Sequence, residues 1–128
     1  MPGGLIFAAL SVAMAVAFAV GASRFTRRRA ETAALDLGGI AGRVVFFADE
    51  ACKRCPAARD ALVASGVEFE EIRYGDDPQR FRATGATAVP LVVVRDPRGA
   101  ELGRIAGELH PRALRALLEG AGIQEGGA

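Results

Sequence analysis

The sequence predicts an α/β fold in which one N-terminal transmembrane helix precedes a four-stranded mixed sheet with the element order β-α-β-α-β-β-α. Three observations lead to this prediction. An uncharged apolar stretch opens the chain, a continuous apolar run at residues 44–47 is typical of a central strand covered on both faces, and a strand–turn–strand pattern is followed by an amphipathic helix. The first strand–helix–strand unit is expected to be right-handed and parallel.

Residues 3–23 carry no charged side chain. As a helix they would be about 30 Å long, which matches the hydrocarbon thickness of a bilayer. A cleaved signal peptide is the alternative, since residues 20–23 (VGAS) fit a cleavage site. However, no positive charge precedes the stretch, and it exceeds the roughly 7–15 apolar residues of such a peptide. We therefore predict a single-pass cell-membrane anchor at residues 1–23.

Four arginines follow the apolar stretch, at positions 24, 27, 28 and 29, whereas no basic residue precedes it. The positive-inside bias therefore predicts a cytoplasmic C-terminal domain, with the extracytoplasmic orientation as the alternative. We interpret the cluster as a stop-transfer collar that can also contact anionic headgroups. The rest of the chain has more acidic than basic residues and few aromatic ones, so nucleic acid is not an expected partner.

The remaining chain divides into three parts. Residues 24–42 are predicted to be a basic juxtamembrane segment and linker, because glycines interrupt any helical extension there. Residues 43–123 are long enough for one small core and form the predicted domain. Residues 124–128 are predicted to be a flexible tail.

The elements of this domain follow from local patterns. A helix is expected at residues 52–65, because apolar residues recur near helical spacing, Pro56 falls in its first turn and Gly66 follows as a cap. The turn DPRG joins the two strands of a hairpin. The other expected elements are a strand at 67–74, a helix at 76–85, hairpin strands within 88–107 and a helix at 110–122.

The only two cysteines, Cys52 and Cys55, lie two residues apart between the first strand and its helix. A structural zinc site needs four ligands, and the sequence has no second cysteine pair and a single histidine, His110. A structural disulfide would close a loop too small to stabilise the fold much. No metal site within one chain is therefore predicted, and a metal or iron–sulfur cluster shared by two copies is kept as an alternative.

A redox role for the pair has a direct physical basis. Cys52 is expected at the beginning of the helix, where free N–H groups and the helix dipole stabilise an anion, and Lys53 and Arg54 add positive charge. We therefore expect the pKa of the Cys52 thiol to lie below the free value of about 8.5. Cys55 lies one turn later on the same face, so Cys52 can attack a disulfide and Cys55 can resolve the mixed disulfide.

Three segments carry a family resemblance. They are FFADEACKRC at residues 46–55, AVP at 88–90 and GRIAGELHPRALRALL at 103–118. With these motifs, residues 43–123 resemble the thioredoxin and glutaredoxin superfamily. The resemblance implies that the domain has a thioredoxin-like fold and that the chain is a membrane-anchored thioredoxin-like protein.

The resemblance also implies roles for individual residues. Cys52 would be the nucleophile and Cys55 the resolving thiol. Pro90 would follow a cis peptide bond and pack against the two cysteines, while the backbone of Val89 would pair with an extended stretch of the substrate. Gly107 would lie close to the rim of the site.

The chain departs from the thioredoxin pattern near the cysteines. Phe46 stands where thioredoxins usually bury an acid, and Ala51 stands in place of a tryptophan. The Lys-Arg dipeptide inside the motif should stabilise the reduced thiolate and make the pair more oxidising. We interpret Asp49 and Glu50 as solvated loop acids rather than proton-transfer groups.

These features predict a thiol–disulfide oxidoreductase that exchanges electrons with protein disulfides and needs no cofactor beyond its dithiol. Glutathione determinants are poorly matched, so a flavin-dependent reductase or a membrane electron carrier is expected to recycle the pair. The protein is expected to be a monomer that acts as a reductase in the cytosol. Two alternatives stay open: a glutaredoxin-like module that binds a shared iron–sulfur cluster or metal, and a redox-inactive adaptor with the same fold.

Overall fold

The computed structural model describes residues 2–124, so residues 125–128 of the predicted tail lie outside the described residues. The order of elements is the predicted one, a long helix followed by β-α-β-α-β-β-α. The helices are α1 (Pro2–Thr32), α2 (Cys55–Ser65), α3 (Pro78–Ala83) and α4 (Pro111–Gly120), and the strands are β1 (Val44–Ala48), β2 (Glu70–Arg73), β3 (Leu91–Arg95) and β4 (Glu101–Ala106).

The four strands form one mixed sheet in the order β2-β1-β3-β4. Strand β1 runs parallel to β2 and antiparallel to β3, and β3 runs antiparallel to β4. Every residue of β1 and β3 is buried, whereas the edge strands β2 and β4 are only partly buried. The continuous apolar runs of the sequence therefore mark the two central strands, which are covered on both faces.

Helices α2 and α4 cover one face of the sheet. Both are amphipathic and turn their apolar residues inward, where burial of apolar surface stabilises the fold. The buried residues of this cluster are Cys55, Ala58 and Leu62 of α2, Leu114 and Leu118 of α4, Val44, Phe46, Ala48, Val92 and Val94 of the central strands, and Leu109.

The other face is covered by α3 and by the N-terminal segment. Phe81 of α3 packs edge-on against Phe47, with ring centroids 5.7 Å apart. Helix α3 has only six residues, and Ala30, Leu37 and Ile40 complete the cover of this face, each with at most 8% of its surface exposed. Part of the predicted linker is therefore packed into the core.

Arg95 holds this N-terminal segment on the sheet. Residues 33–42, called the strap below, have no regular secondary structure. The guanidinium of Arg95, a residue only 7% exposed, donates hydrogen bonds to the backbone oxygens of Leu37 (3.2 Å), Ile40 (2.7 Å) and Gly42. The strap has no regular secondary structure in which its carbonyl groups could be paired, and the Arg95 side chain donates to three of them instead.

The strap also contacts the chain just after α3. The Asp36 N–H donates to the Thr84 oxygen over 2.8 Å. Gly85 follows with φ 81°, and a Cβ there would lie 2.7 Å from the Ala34 oxygen. A glycine is therefore required at this position both by its backbone conformation and by the close approach of the strap.

The C-terminal end of α1 is attached to the sheet by Arg104 of β4. Its guanidinium donates to the backbone oxygens of Ala30 (3.1 Å) and Ala33 (2.8 Å) and pairs with Glu101 at 2.6 Å. Carbonyls at the end of a helix lack intrahelical partners and carry partial negative charge, so a buried cation stabilises them. Helix α1 therefore leads directly into the domain.

The N-terminal part of α1 has the length and composition of a membrane span. Residues Gly3–Ala22 form a stretch of 20 residues with a mean hydropathy of 2.4, and none of it is buried within the chain. A helix of this kind is long enough to cross a bilayer. The boundaries of the anchor and of the domain stay predictions.

The expected helix at residues 52–65 begins later than predicted, at Cys55. Pro56 explains the difference, because it has no N–H to donate to the carbonyl of Cys52. The first bond of this helix runs instead from the Ala58 N–H to the Arg54 oxygen, over 3.2 Å. The prediction that Cys52 begins the helix was therefore wrong, and this residue lies in the preceding turn.

We expect replacement of Arg95 by leucine to destabilise the fold, because it leaves the Ile40 and Gly42 carbonyls of the strap without a donor and removes one of the two hydrogen bonds to the Leu37 carbonyl. The expected loss is about 2–4 kcal/mol in the free energy of unfolding. Urea unfolding of the full chain in nonionic detergent measures it. Arg98→Leu is the matched control, since Arg98 lies exposed in the neighbouring turn. Equal unfolding midpoints for the two variants would contradict the role of Arg95.

Candidate active site

The two cysteines lie at the carboxyl end of β1, in the turn that leads into α2. The Cys52 N–H donates to the Asp49 oxygen over 3.1 Å, which closes this turn. Cys55 is the first residue of α2 and is 1% exposed, because it belongs to the apolar face that packs on the sheet. Cys52 is half-buried at the edge of the same cluster.

The structure joins Cys52 and Cys55 in a disulfide, with their Cα atoms 5.4 Å apart. The fold thus places both sulfurs within bonding distance. Their unequal burial gives the two thiols different access to a reaction partner: an incoming sulfur meets Cys52 first, and Cys55 is shielded beneath it.

The charged residues that directly follow Cys52 are positive. Lys53 and Arg54 follow it and are exposed, and the first turn of α2 contains no acidic residue. Arg54 occupies the N-cap of α2 without a side-chain hydrogen bond to the helix, so no carboxylate or hydroxyl competes for the N–H groups there. A thiolate on the preceding turn would lie near this positive end.

The loop before β3 carries the two other predicted site residues. The peptide bond between Val89 and Pro90 is cis, which confirms the expectation from the resemblance. Val89 packs on the same apolar cluster as Cys52, and Pro90 is buried. The Pro90 oxygen accepts a hydrogen bond from the Gly107 N–H over 2.9 Å, and Gly107 has φ 86°, which accounts for a glycine there.

The backbone of Val89 is available for pairing. This residue lies just outside β3, and neither its N–H nor its carbonyl makes a hydrogen bond to another of the described residues. Such unpaired groups beside a reactive site can bind an extended peptide.

No acid lies directly beneath the cysteines on β1, where Phe46 is completely buried. Its ring packs edge-on against Phe69, with centroids 6.1 Å apart, and lies under the guanidinium of Arg59. The register partner of Phe46 on β2 is the acid Glu71, which forms an ion pair with Arg59 at 2.6 Å. This ion pair was not anticipated from the sequence.

The two acids before Cys52 have different environments. The Glu50 side chain is 72% exposed and lies 3.7 Å from Arg73, which agrees with a solvated loop acid. Asp49 is half-buried, and its carboxylate has no hydrogen bond or ion pair within residues 2–124. Asp49 is therefore less exposed than Glu50, and its interpretation as a solvated loop acid stays a prediction.

Other candidate ligands for a metal are scattered. No group of three or more histidine, cysteine, aspartate or glutamate residues lies together in the part of the chain that the structure describes. His110 is exposed and lies 4.0 Å from Glu108, on the loop that enters α4.

The strand order, the cysteine pair between β1 and α2 and the cis-proline before β3 define a thioredoxin-like fold. This fold and a cysteine pair at bonding distance support thiol–disulfide exchange as the general chemistry of the site.

Two solved structures are similar to this chain. Thioredoxin 1 from the thermophilic eubacterium Thermosipho africanus TCF52B is 18% identical, with a TM-score of 0.49 over 61% of this chain and 91% of that one. Target protein XcR50 from X. campestris is 27% identical, with a TM-score of 0.43 over 59% of this chain and 95% of that one. No family model and no curated protein matches the chain. The fold class therefore follows from the chain's own topology.

We expect Cys52 to be the reactive thiol of the reduced protein, because Cys55 is shielded and Cys52 lies beside Lys53 and Arg54. Iodoacetamide at neutral pH should modify Cys52 at least about tenfold faster than Cys55. Mass spectrometry of the full chain in nonionic detergent measures both rates. Cys55→Ser should keep the fast reaction and Cys52→Ser should lose it; equal rates at the two sulfurs would contradict the assignment.

Proposed function

We propose that this protein is a membrane-tethered thiol–disulfide oxidoreductase that exchanges electrons with protein disulfides. The observation that supports this function best is the unequal burial of two cysteines at bonding distance in a thioredoxin-like fold. One sulfur is placed to react with a partner and the other to release it.

The proposed reaction transfers two electrons from the dithiol to the substrate. The Cys52 thiolate attacks one sulfur of a substrate disulfide, a mixed disulfide forms, and the other substrate sulfur leaves as a thiolate and takes up a proton. Cys55 then loses its proton and attacks the Cys52 sulfur. The second substrate thiol is released, and the protein is left with the Cys52–Cys55 disulfide.

Lys53 and Arg54 have an electrostatic role in this proposal. Positive charge beside Cys52 favours its thiolate, which is both the attacking form and the form present in the reduced protein. Because stabilising the reduced state raises the reduction potential, these two residues make the pair a stronger oxidant than one without them.

The loop at Val89 and Pro90 would hold the substrate. An extended segment could form main-chain hydrogen bonds with the unpaired N–H and carbonyl of Val89, which would bring its disulfide to Cys52. Main-chain pairing of this kind does not depend on side chains, so it is compatible with several protein substrates.

Turnover requires a partner that reduces the Cys52–Cys55 disulfide again. We propose a flavin-dependent reductase or a membrane electron carrier for this step, with the dithiol as the only redox centre and with no metal. The protein would act as a monomer.

Helix α1 would anchor it in the cell membrane, and the arginine cluster that follows the span would keep the domain on the cytoplasmic side.

We expect the reduced full chain to reduce the disulfides of insulin. Cys52→Ser should lower this activity at least about 100-fold, because it removes the attacking sulfur. Cys55→Ser should accumulate mixed disulfides with its substrates, because the resolving sulfur is missing. Turbidity of the insulin chains and non-reducing gels measure the two effects. If the wild type were as inactive as Cys52→Ser with several electron donors, the protein would not be an oxidoreductase.

We also expect the protein to remain in the membrane fraction after alkaline carbonate extraction, because residues 3–22 span the bilayer. A variant without these residues is the control and should be extracted.

The only cysteines lie in the domain, so a membrane-impermeant maleimide should label the reduced protein after permeabilisation but not in intact cells. Labelling in intact cells would place the domain on the outer side.

A further inference from the structure

A small cavity lies beside the turn that carries Cys52. Its volume is about 210 Å³, and its walls come from four separate parts of the chain. They are Asp49 of the cysteine turn, the aromatic rings of Tyr74 and Phe81, and the loop at residues 86–89. The proposed catalytic groups do not use this cavity.

The cavity lies between the two parts of the candidate active site. Asp49 is on one side, and its backbone oxygen accepts the Cys52 N–H at 3.1 Å. Val89, whose backbone is free to pair with a substrate, is on the other side. A peptide that pairs with Val89 and presents a disulfide to Cys52 therefore passes the mouth of the cavity, where one of its side chains can enter.

The aromatic wall is apolar and well packed. The rings of Tyr74 and Phe81 meet edge-on with centroids 5.5 Å apart, and Phe81 also packs edge-on against Phe47. The Tyr74 hydroxyl accepts a hydrogen bond from Arg82 at 2.6 Å, and the Arg82 guanidinium lies over the Tyr74 ring, 5.5 Å from its centroid, so Arg82 holds this ring in place. A wall of this kind accommodates the aliphatic stem of a long side chain.

Asp49 is the one charged residue among the described residues that line the cavity. Its half-buried carboxylate lacks a cationic partner among them, in contrast to Glu50, which pairs with Arg73. A carboxylate at the edge of an apolar pocket is complementary to a side chain that has an apolar stem and a positive end. Glutamate or aspartate at the same place would be repelled.

We propose that this cavity binds a lysine or arginine side chain next to the cysteine of the substrate disulfide, and that Asp49 determines this preference. The substrates would then be protein disulfides flanked by a basic residue. This inference rests on the proposed function, since it concerns the substrate of the same site. Asp49 takes no part in the exchange of electrons; it orients the substrate.

Symmetrical disulfides of short alanine-rich peptides test the proposal. Each peptide has one cysteine and a single lysine, norleucine or glutamate. This test residue is placed either immediately before or immediately after the cysteine. The second-order rate constant is measured for the pre-reduced full chain in nonionic detergent at low salt. At one position at least, lysine should react about three- to fivefold faster than norleucine, and glutamate more slowly than lysine.

The ratio of the lysine rate to the norleucine rate is compared within each variant, so changes in overall activity cancel. Asp49→Asn should lower this ratio to about one, because the amide keeps the shape but not the charge. Glu50→Gln is the matched control and should keep the wild-type ratio. About 0.5 M salt should reduce the ratio in the wild type.

The outcomes separate the two proposals. Equal rates for lysine and norleucine at every position in the wild type would overturn the subsite, as would a preference that persists in Asp49→Asn. In both cases the peptides are still reduced and the proposed function stands. Failure to reduce any of the peptides would overturn the proposed function and the subsite with it.

Discussion

The structure depends on the burial of two adjacent apolar strands. Every residue of β1 and β3 is buried, so both faces of the sheet must be covered. Helices α2 and α4 cover one face, but α3 has only six residues and the other face needs further apolar side chains. The strap and the last turn of α1 supply them, and two arginines, Arg95 and Arg104, satisfy the carbonyl groups that this irregular segment brings with it.

The same central strand determines where the chemistry takes place. Because β1 ends at a completely buried position, the turn after it emerges at the edge of the sheet, and the chain then enters α2 with Cys55 facing the core. Pro56 delays the start of the helix by three residues and leaves Cys52 in the turn. The difference in burial between the two sulfurs thus follows from the register of α2 on the sheet.

Much of the fold could be predicted from the sequence because its signals are local. The continuous apolar run at residues 44–47 marked a central strand, and Gly66 marked a helix end that the structure retains. The cysteine pair was equally visible, and its place between a strand and a helix, with Lys53 and Arg54 beside it, predicted a redox role. The start of α2 was predicted too early, although the sequence contained the signal for the later start. Pro56 has no N–H to donate to the carbonyl of Cys52, so the helix cannot begin with that bond.

The strap and the cavity could not be predicted because their partners are distant in the sequence. A glycine-containing stretch without regular periodicity is typical of a linker, and its burial depends on Arg95, more than fifty residues away. Likewise, Asp49 meets Tyr74 and Phe81 only after the sheet has formed. The only local indication was Arg95 itself. An arginine at the end of a buried strand needs hydrogen-bond acceptors for its guanidinium, and another segment of the chain had to supply them.

The direct passage from α1 into the domain limits how far the dithiol can travel. Ala30 lies only eight positions after Ala22, and over these positions a helix rises about 12 Å. A disordered stretch from residue 24 to 42 would extend to roughly 60 Å. With α1 in the bilayer, as proposed, the domain would rest close to the lipid headgroups and could not search the surrounding volume. Protein disulfides would then have to come to the membrane surface to meet it.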